Sequence, residues 1–403
     1  MNVQLAYRNY KPLHDLYRSL LIEPPPQVSY VLPRTLRFAR RFYPLYLMYG
    51  DWGPARSLMH MAQHLLFGRA GSNGQADAIH YIQMIPGNVP STPYVIDFEH
   101  AAALANFVHP DDEAKNRILR FLMDDRCRRI IPLTWAARRS LLSLFPDLDP
   151  GTASKVEVIY PALPDYSGLC RAKGDDVLPR REEGKLKFLF VGNDVYRKGL
   201  HELMAAFREL EKRYTDIELC VVSDAPGPLK KAHPSRRIKH VDPVYPFDQM
   251  IERFYLACDV LVLPTHCDTF GMAILCALSC GKPVVTTHQF ASAELVRDGE
   301  NGLLVRSGRL LLEEVCMPDR TATRAFATRE ADPLLIGDLI EKLGTLCANP
   351  RILKRMSEEA AKDFCTGGKF SIGKRNGKLS KAYADCEAPR PQGGASRQGK
   401  NQT

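Results

Sequence analysis

DVLVLPTHCDTFGMAILCALSCGKPVV, residues 259–285, contains a complete strand–loop–helix–strand passage. Asp259–Leu263 is an apolar run of strand length that stops at Pro264. A polar loop follows, with Asp268 near its end. Thr269-Phe270-Gly271 then opens an apolar helix, and Gly281-Lys282-Pro283 closes it ahead of Val284-Val285. In open α/β sheets, ligands bind beyond the carboxyl ends of the strands. The first N–H groups of a helix have no partner within it and favour an anion, and a glycine such as Gly271 lets a ligand approach the backbone closely. The passage predicts a ligand site made of a strand end, a carboxylate and a helix start.

Working outward, the second half of the chain keeps alternating strand and helix, which predicts α/β architecture with mostly parallel sheets. Lys187–Val191 reads as a strand ending at Gly192, and Leu200, Leu203, Met204, Phe207 and Leu210 then share one helical face. Ile217–Val222 is the next strand, Met250–Ala257 reads as helical, and Glu294–Arg297 and Gly302–Val305 continue the alternation. In the less regular first half, Val28–Val31, Tyr94–Phe98, Arg129–Ile131 and Val156–Tyr160 are candidate strands. Trp135–Leu144 is a helix with Thr134 as its N-cap. Residues 164–185 are rich in Gly, Pro and charge and read as a linker, and the polar, Pro/Gly-rich residues 388–403 as a disordered tail.

The 403 residues are long for one core and suit two domains. No apolar run approaches the roughly 20 residues that span a bilayer, and the amino terminus lacks the apolar core of a secretion signal. The eleven cysteines follow no framework spacing and read as reduced thiols, giving a cytoplasmic expectation. A formal charge of +9 fits either an anionic partner or solubility alone. Arg34–Tyr49 interleaves basic and aromatic residues: it suits either a peripheral helix on the anionic inner face of a membrane or a core helix with a basic outer face. No nucleic-acid module accompanies these charges, so no nucleic-acid partner is expected.

Three blocks, FLFVGNDVYRKGLHELMAAF, the 259–285 passage and AELVRDGENGLLV, resemble in wording, order and separation the C-terminal half of GT-B glycosyltransferases of family 4. The resemblance is good over about 185–364 and weaker before it. FSIGKRNGKLSKAYAD is similar to the family's final helix, which crosses back to the first domain. What this resemblance implies is an α/β GT-B fold of two Rossmann-like domains flanking a cleft. The divisions are an acceptor-side domain at 1–175, a donor-binding domain at 186–365 and a crossing helix at 369–387. It also implies transfer of a sugar from a nucleotide-sugar donor to a glycan, lipid or small-molecule acceptor, with retention of configuration, no metal and no other cofactor.

Carried over residue by residue, the resemblance places Arg197 and Lys198 on the leaving diphosphate, where a metal-free site must neutralise negative charge. Many relatives carry the Arg directly after the first Gly, a place held here by Asn193, following Gly192; some use an adjacent Arg-Lys pair, as in YRKG. Asp268 matches the first acid of the family's E-x7-E pattern, which contacts donor-sugar hydroxyls, and Phe270, Gly271 and Met272 would offer backbone amides. Cys276 stands where the second acid usually binds the ribose, and thiols are poor hydrogen-bonding groups. That departure leaves open a non-catalytic GT-B relative acting as a binding or scaffold protein. His100 matches a first-domain histidine facing the donor sugar, and is equally readable as a packing residue. Glu294 is read as capping or bracing a loop near the donor. Asp147-Leu148-Asp149 matches D-x-D but sits in a Pro-flanked loop, His60-x3-His64 lacks the Glu of a zincin, and the group His266, Cys267, Cys276, Cys280 and His288 has no structural zinc spacing.

Overall fold

A computed structural model describes residues 1–7, 13–32, 76–105, 110–168, 184–309 and 330–387. The Arg34–Tyr49 segment, His60, His64, most of the 164–185 stretch and the tail at 388–403 lie outside the described residues.

The chain folds into two parallel sheets. The first contains β1 (Asn2–Ala6), β2 (Ser29–Val31), β3 (Ala78–Ile82), β4 (Tyr94–Phe98) and β5 (Cys127–Pro132), in the order β2-β1-β3-β4-β5. The second contains β6 (Leu186–Val191), β7 (Ile217–Val222), β8 (Ile238–Val241), β9 (Val260–Leu263), β10 (Val284–Thr287) and β11 (Gly302–Val305), in the order β11-β10-β9-β6-β7-β8. Counted from β6, this is the doubly wound order 3-2-1-4-5-6, and its switch point lies between β6 and β9. That crevice is where the sequence passage ends its strand.

Burial explains why these segments read so plainly. β9 and β10 are covered on both faces and every residue of both is buried, so they appear as continuous apolar runs. On the helix Leu200–Leu210, the five residues of the expected face are all 1% exposed or less. Each such side chain withdraws about 1.5–3 kcal/mol of apolar surface from water before entropy is counted. The helix Met272–Ser279 is buried nearly all round, between β9, β10 and the helix Pro350–Lys362.

Two expectations change. Val156–Tyr160 is not a strand: Val156 makes an isolated bridge to Ile130, and the Glu157 and Ile159 amides donate to the Ile130 and Pro132 carbonyls. Pro161, which has no N–H, follows directly. The helix expected at Met250–Ala257 starts earlier, at Phe247, and widens into a π-helical turn over Ile251–Tyr255.

The last helix, Ile372–Glu387, packs on β4 and β5 of the first sheet. Buried Tyr383 is its anchor: its hydroxyl lies 2.7 Å from His80 Nδ1 and 3.0 Å from the Tyr30 hydroxyl. His80 Nε2 in turn meets Asp97 at 3.1 Å, and the Tyr17 hydroxyl donates to the other Asp97 oxygen at 2.9 Å. Arg129 pairs with Asp385 at 2.7 Å. Between the halves, Arg18 meets Asp248 at 2.5 Å, and Glu294 reaches the start of the Trp135–Leu144 helix.

Candidate functional site

The site grows from two loops at the switch point, one leaving β6 and one leaving β9. They touch at Gly199, which adopts φ +75°; a Cβ there would lie 2.1 Å from the Pro264 carbonyl oxygen. Only glycine fits, because the conformation is left-handed and the gap is already filled by backbone. The His266 amide donates to the Arg197 carbonyl at 2.8 Å, and the Thr265 hydroxyl to the same oxygen at 3.3 Å. The Arg197-Lys198-Gly199 turn is therefore pinned against the 264–268 loop by backbone contacts.

Those ties bring the charged side chains together. Lys198 Nζ lies 2.5 Å from Asp268 Oδ2, with both side chains about one-seventh exposed (14% and 15%). The Arg197 guanidinium donates through Nη1 to the Cys267 carbonyl at 2.5 Å and through Nε to Asp194 at 2.7 Å. Two of its five N–H groups are thus used in setting its orientation. Asp194 holds the turn in a left-handed conformation, φ +56°. Gly192 packs its Cα face against the Lys198 stem, where an added Cβ would meet Cγ at 3.4 Å. Asn193 is exposed.

Gly271, φ +92°, is the N-cap of the helix Met272–Ser279, and no side chain caps the helix start. Its first amides are therefore free of intrahelical partners. Phe270 is 2% exposed and belongs to the core, so its side chain is structural; Met272 packs at the edge of that core. Cys276 is likewise buried in the core, and burial pushes its thiol well above the ordinary range. Such a thiol stays neutral and is no substitute for a carboxylate.

The first domain contributes two neighbours from the end of β4. Glu99 lies near the Thr269 side chain and faces Asp268 and Lys198; burial, then Asp268, pushes its carboxyl up to about 7. Glu99 is not among the candidates the sequence singles out; an acid next to His100 at a strand end is its signal. His100 is 3% exposed, and burial lowers its pKa to about 4. Its Nδ1 accepts from the Ala102 amide at 3.0 Å, which puts the ring proton on Nε2. Among the described residues Nε2 has no partner, and the ring lies 5.2 Å from Phe290 of the second domain.

Other candidates take structural roles. Thr134 caps its helix through the Ala137 amide at 3.0 Å. Glu294 accepts from the Trp135 and Ala136 amides and from the Tyr160 hydroxyl. Asp149 caps the helix Pro150–Ser154. Among the described residues no group of three or more His, Cys, Asp or Glu is arranged to hold a metal ion, and no helix is long and apolar enough to cross a membrane.

Two facing parallel-sheet domains with this crevice define the GT-B fold, and solved structures agree. An Anabaena protein, HepE, crystallised with UDP, superposes with TM-score 0.58 over 95% of this chain and 100% of its own, at 16% identity. A Rickettsia africae glycosyltransferase reaches TM-score 0.61 over 96% and 98%, at 13% identity. Residues 185–315 match the family described as Glycosyl transferases group 1. A D-inositol 3-phosphate glycosyltransferase from Acidothermus cellulolyticus is 29% identical over 198 residues, covering 44% of this chain and 42% of its own length. An uncharacterized glycosyltransferase from Methanocaldococcus jannaschii is 31% identical over 134 residues, 30% of this chain and 34% of its own. The chain thus spans about two fifths or less of these relatives' length. Through its second domain, the chain is similar to the group 1 glycosyl transferases.

Proposed function

We propose that the chain is a family-4 glycosyltransferase that binds a nucleotide-sugar donor in the β6/β9 crevice and transfers the sugar to a hydroxyl of a glycan, lipid or small molecule. The observation that carries this reading is the Lys198–Asp268 contact at the switch point, with the free amides of the Gly271 helix start in the same loop and Glu99 facing the pair from the other domain.

In this reading Lys198, the remaining Arg197 N–H groups and the Gly271–Met272 helix start stabilise the negative charge that develops on the departing diphosphate. Asp268 orients hydroxyls of the donor sugar. Donor binding would require Lys198 to share its ammonium between Asp268 and the phosphate. His100 offers its unpaired Nε2–H to the sugar from the first domain. With Cys276 buried and neutral, ribose recognition falls to other groups. Retention of configuration and independence from metal are proposed on the resemblance alone. Closure of the two domains would keep water from hydrolysing the donor.

A nucleotide panel tests the reading. UDP comes first, because HepE was crystallised with it, followed by GDP, ADP and CDP. Calorimetric binding of one of them, with turnover of its sugar conjugate, is expected. No binding by the folded protein to any of the four would overturn it.

A further inference from the structure

Away from the cleft, the second domain has an open depression of about 860 Å³. Its wall is cationic. Arg208 comes from the far end of the helix Leu200–Leu210 and Lys230 from the helix Gly227–Ala232; Arg236, Arg237 and His240 come from the approach to and body of the edge strand β8, with His233 alongside. Glu211 is the one carboxylate in that wall, and it is already engaged, by Arg208 at 2.5 Å and by the Ser235 hydroxyl at 2.6 Å. Arg237 is engaged too, donating to the Glu211 and Tyr214 carbonyls, each at 3.1 Å. Lys230 and Arg236 have no side-chain partner among the described residues. Two ring nitrogens in the wall, His233 Nε2 and His240 Nδ1, are buried with no hydrogen-bond partner among the described residues. Burial, His201 and Arg208 hold His233 below the ordinary imidazole range, and burial and Lys230 do the same to His240. A site with two uncommitted cations and two unpaired ring nitrogens has positive potential and unmet hydrogen-bonding capacity.

We propose that this depression binds a small phosphorylated anion, of the pyrophosphate or phosphate-ester class, at a site separate from the cleft. Several oxygens on one compact anion can meet an ammonium, a guanidinium and ring N–H groups together, which a single carboxylate cannot. The volume lies within the range of small-molecule sites, roughly 300–1,000 Å³. The helix Leu200–Leu210 begins next to Lys198 and ends at this wall. It places the two sites about 16 Å apart along one rigid element, at 1.5 Å per residue.

Calorimetric titration of the full chain with pyrophosphate, without divalent cations, tests the proposal. The variants are Lys198→Ala and, in that same Lys198→Ala background so that the cleft's diphosphate contact is removed, the double variant Lys230→Ala/Arg236→Ala. The proposal expects Lys198→Ala to keep a pyrophosphate site and the double variant to lose at least about tenfold in affinity for it, as expected for lost charge-assisted contacts. Absence of pyrophosphate binding to Lys198→Ala, or unchanged binding by the double variant, overturns it. Co-sedimentation with phosphatidic acid vesicles separates the lipid source: sedimentation that depends on Lys230 and Arg236 without pyrophosphate binding also overturns it. The proposal stands independently of glycosyl transfer, since a failed nucleotide panel leaves the Lys230- and Arg236-dependent result unaltered.

Discussion

The carboxylate of Glu294, in the second domain, closes the open amino end of a first-domain helix by accepting hydrogen bonds from the Trp135 and Ala136 amides at 2.9 and 2.6 Å. A negative group at that position satisfies two unpaired donors and the positive end of the helix dipole. The Tyr160 hydroxyl, at 2.6 Å, holds the carboxylate in place, and Lys369 donates to the Glu294 carbonyl at 2.5 Å. The contact ties the short helix Ser292–Leu295, which follows β10, to the first domain.

Glu294→Ala should therefore reduce unfolding stability by about 1–2 kcal/mol, as expected for charge-assisted bonds at a partly exposed helix end. Glu294→Gln, which keeps an acceptor, should lose less. Urea unfolding of the three proteins checks this; equal midpoints for all of them would exclude an interdomain cap.

Glu99 supplies a pH prediction. With its pKa near 7, the carboxyl ionises as pH rises from 6 to 8, placing a second negative charge beside Asp268. Ionised Glu99 opposes an anionic ligand, adding a downward slope to nucleoside diphosphate affinity across that interval, against the rise that phosphate ionisation brings at a cationic site. Glu99→Gln should remove that extra slope. The sign for stability is the same. A carboxyl whose folded pKa is raised contributes stability below its ordinary range near 4.5, and the contribution is lost as pH rises towards 7. Titrations at three pH values on both proteins decide the point; parallel slopes would remove Glu99 from the site.

Gly199→Ala should displace the loop that carries Lys198. The left-handed backbone and the Pro264 carbonyl 2.1 Å from the new Cβ leave no relaxed position. A cost of about 1–3 kcal/mol in stability is expected, together with weaker nucleotide binding. Wild-type values in both measurements would mean the loops do not meet there.

Tyr383→Phe should cost about 1 kcal/mol for each hydrogen bond it removes, one to His80 and one to Tyr30. Thermal unfolding measures it, and a fall in Tm with unchanged diphosphate affinity is the expected combination.

What could be read in the sequence follows burial. β6, β9 and β10 are apolar because both faces are covered, and the helix Leu200–Leu210 has one clean apolar face. Both signals are local and survive without tertiary knowledge. β1 and β3 escaped notice because Gln4 and His80 interrupt their apolar runs; both are buried, and the partners that satisfy His80 come from Asp97 and from Tyr383, some 300 residues away. Arg197, Lys198 and Asp268 could be singled out by motif, but their mutual pairing depends on Gly199 meeting Pro264, a contact no spacing reveals. Glu99 was hidden for the same reason: its importance lies in facing Asp268 across the domains.

In the proposed function, Lys198, paired with Asp268, holds the diphosphate of a nucleotide-sugar donor. The most direct measurement is calorimetric titration of UDP into wild-type protein and Lys198→Ala, with the folded state of both verified by thermal unfolding. The account predicts binding to wild type and affinity about 10- to 100-fold weaker in Lys198→Ala, the loss of one charge-assisted contact of roughly 1.5–3 kcal/mol. Equal affinity in a folded Lys198→Ala variant would contradict it.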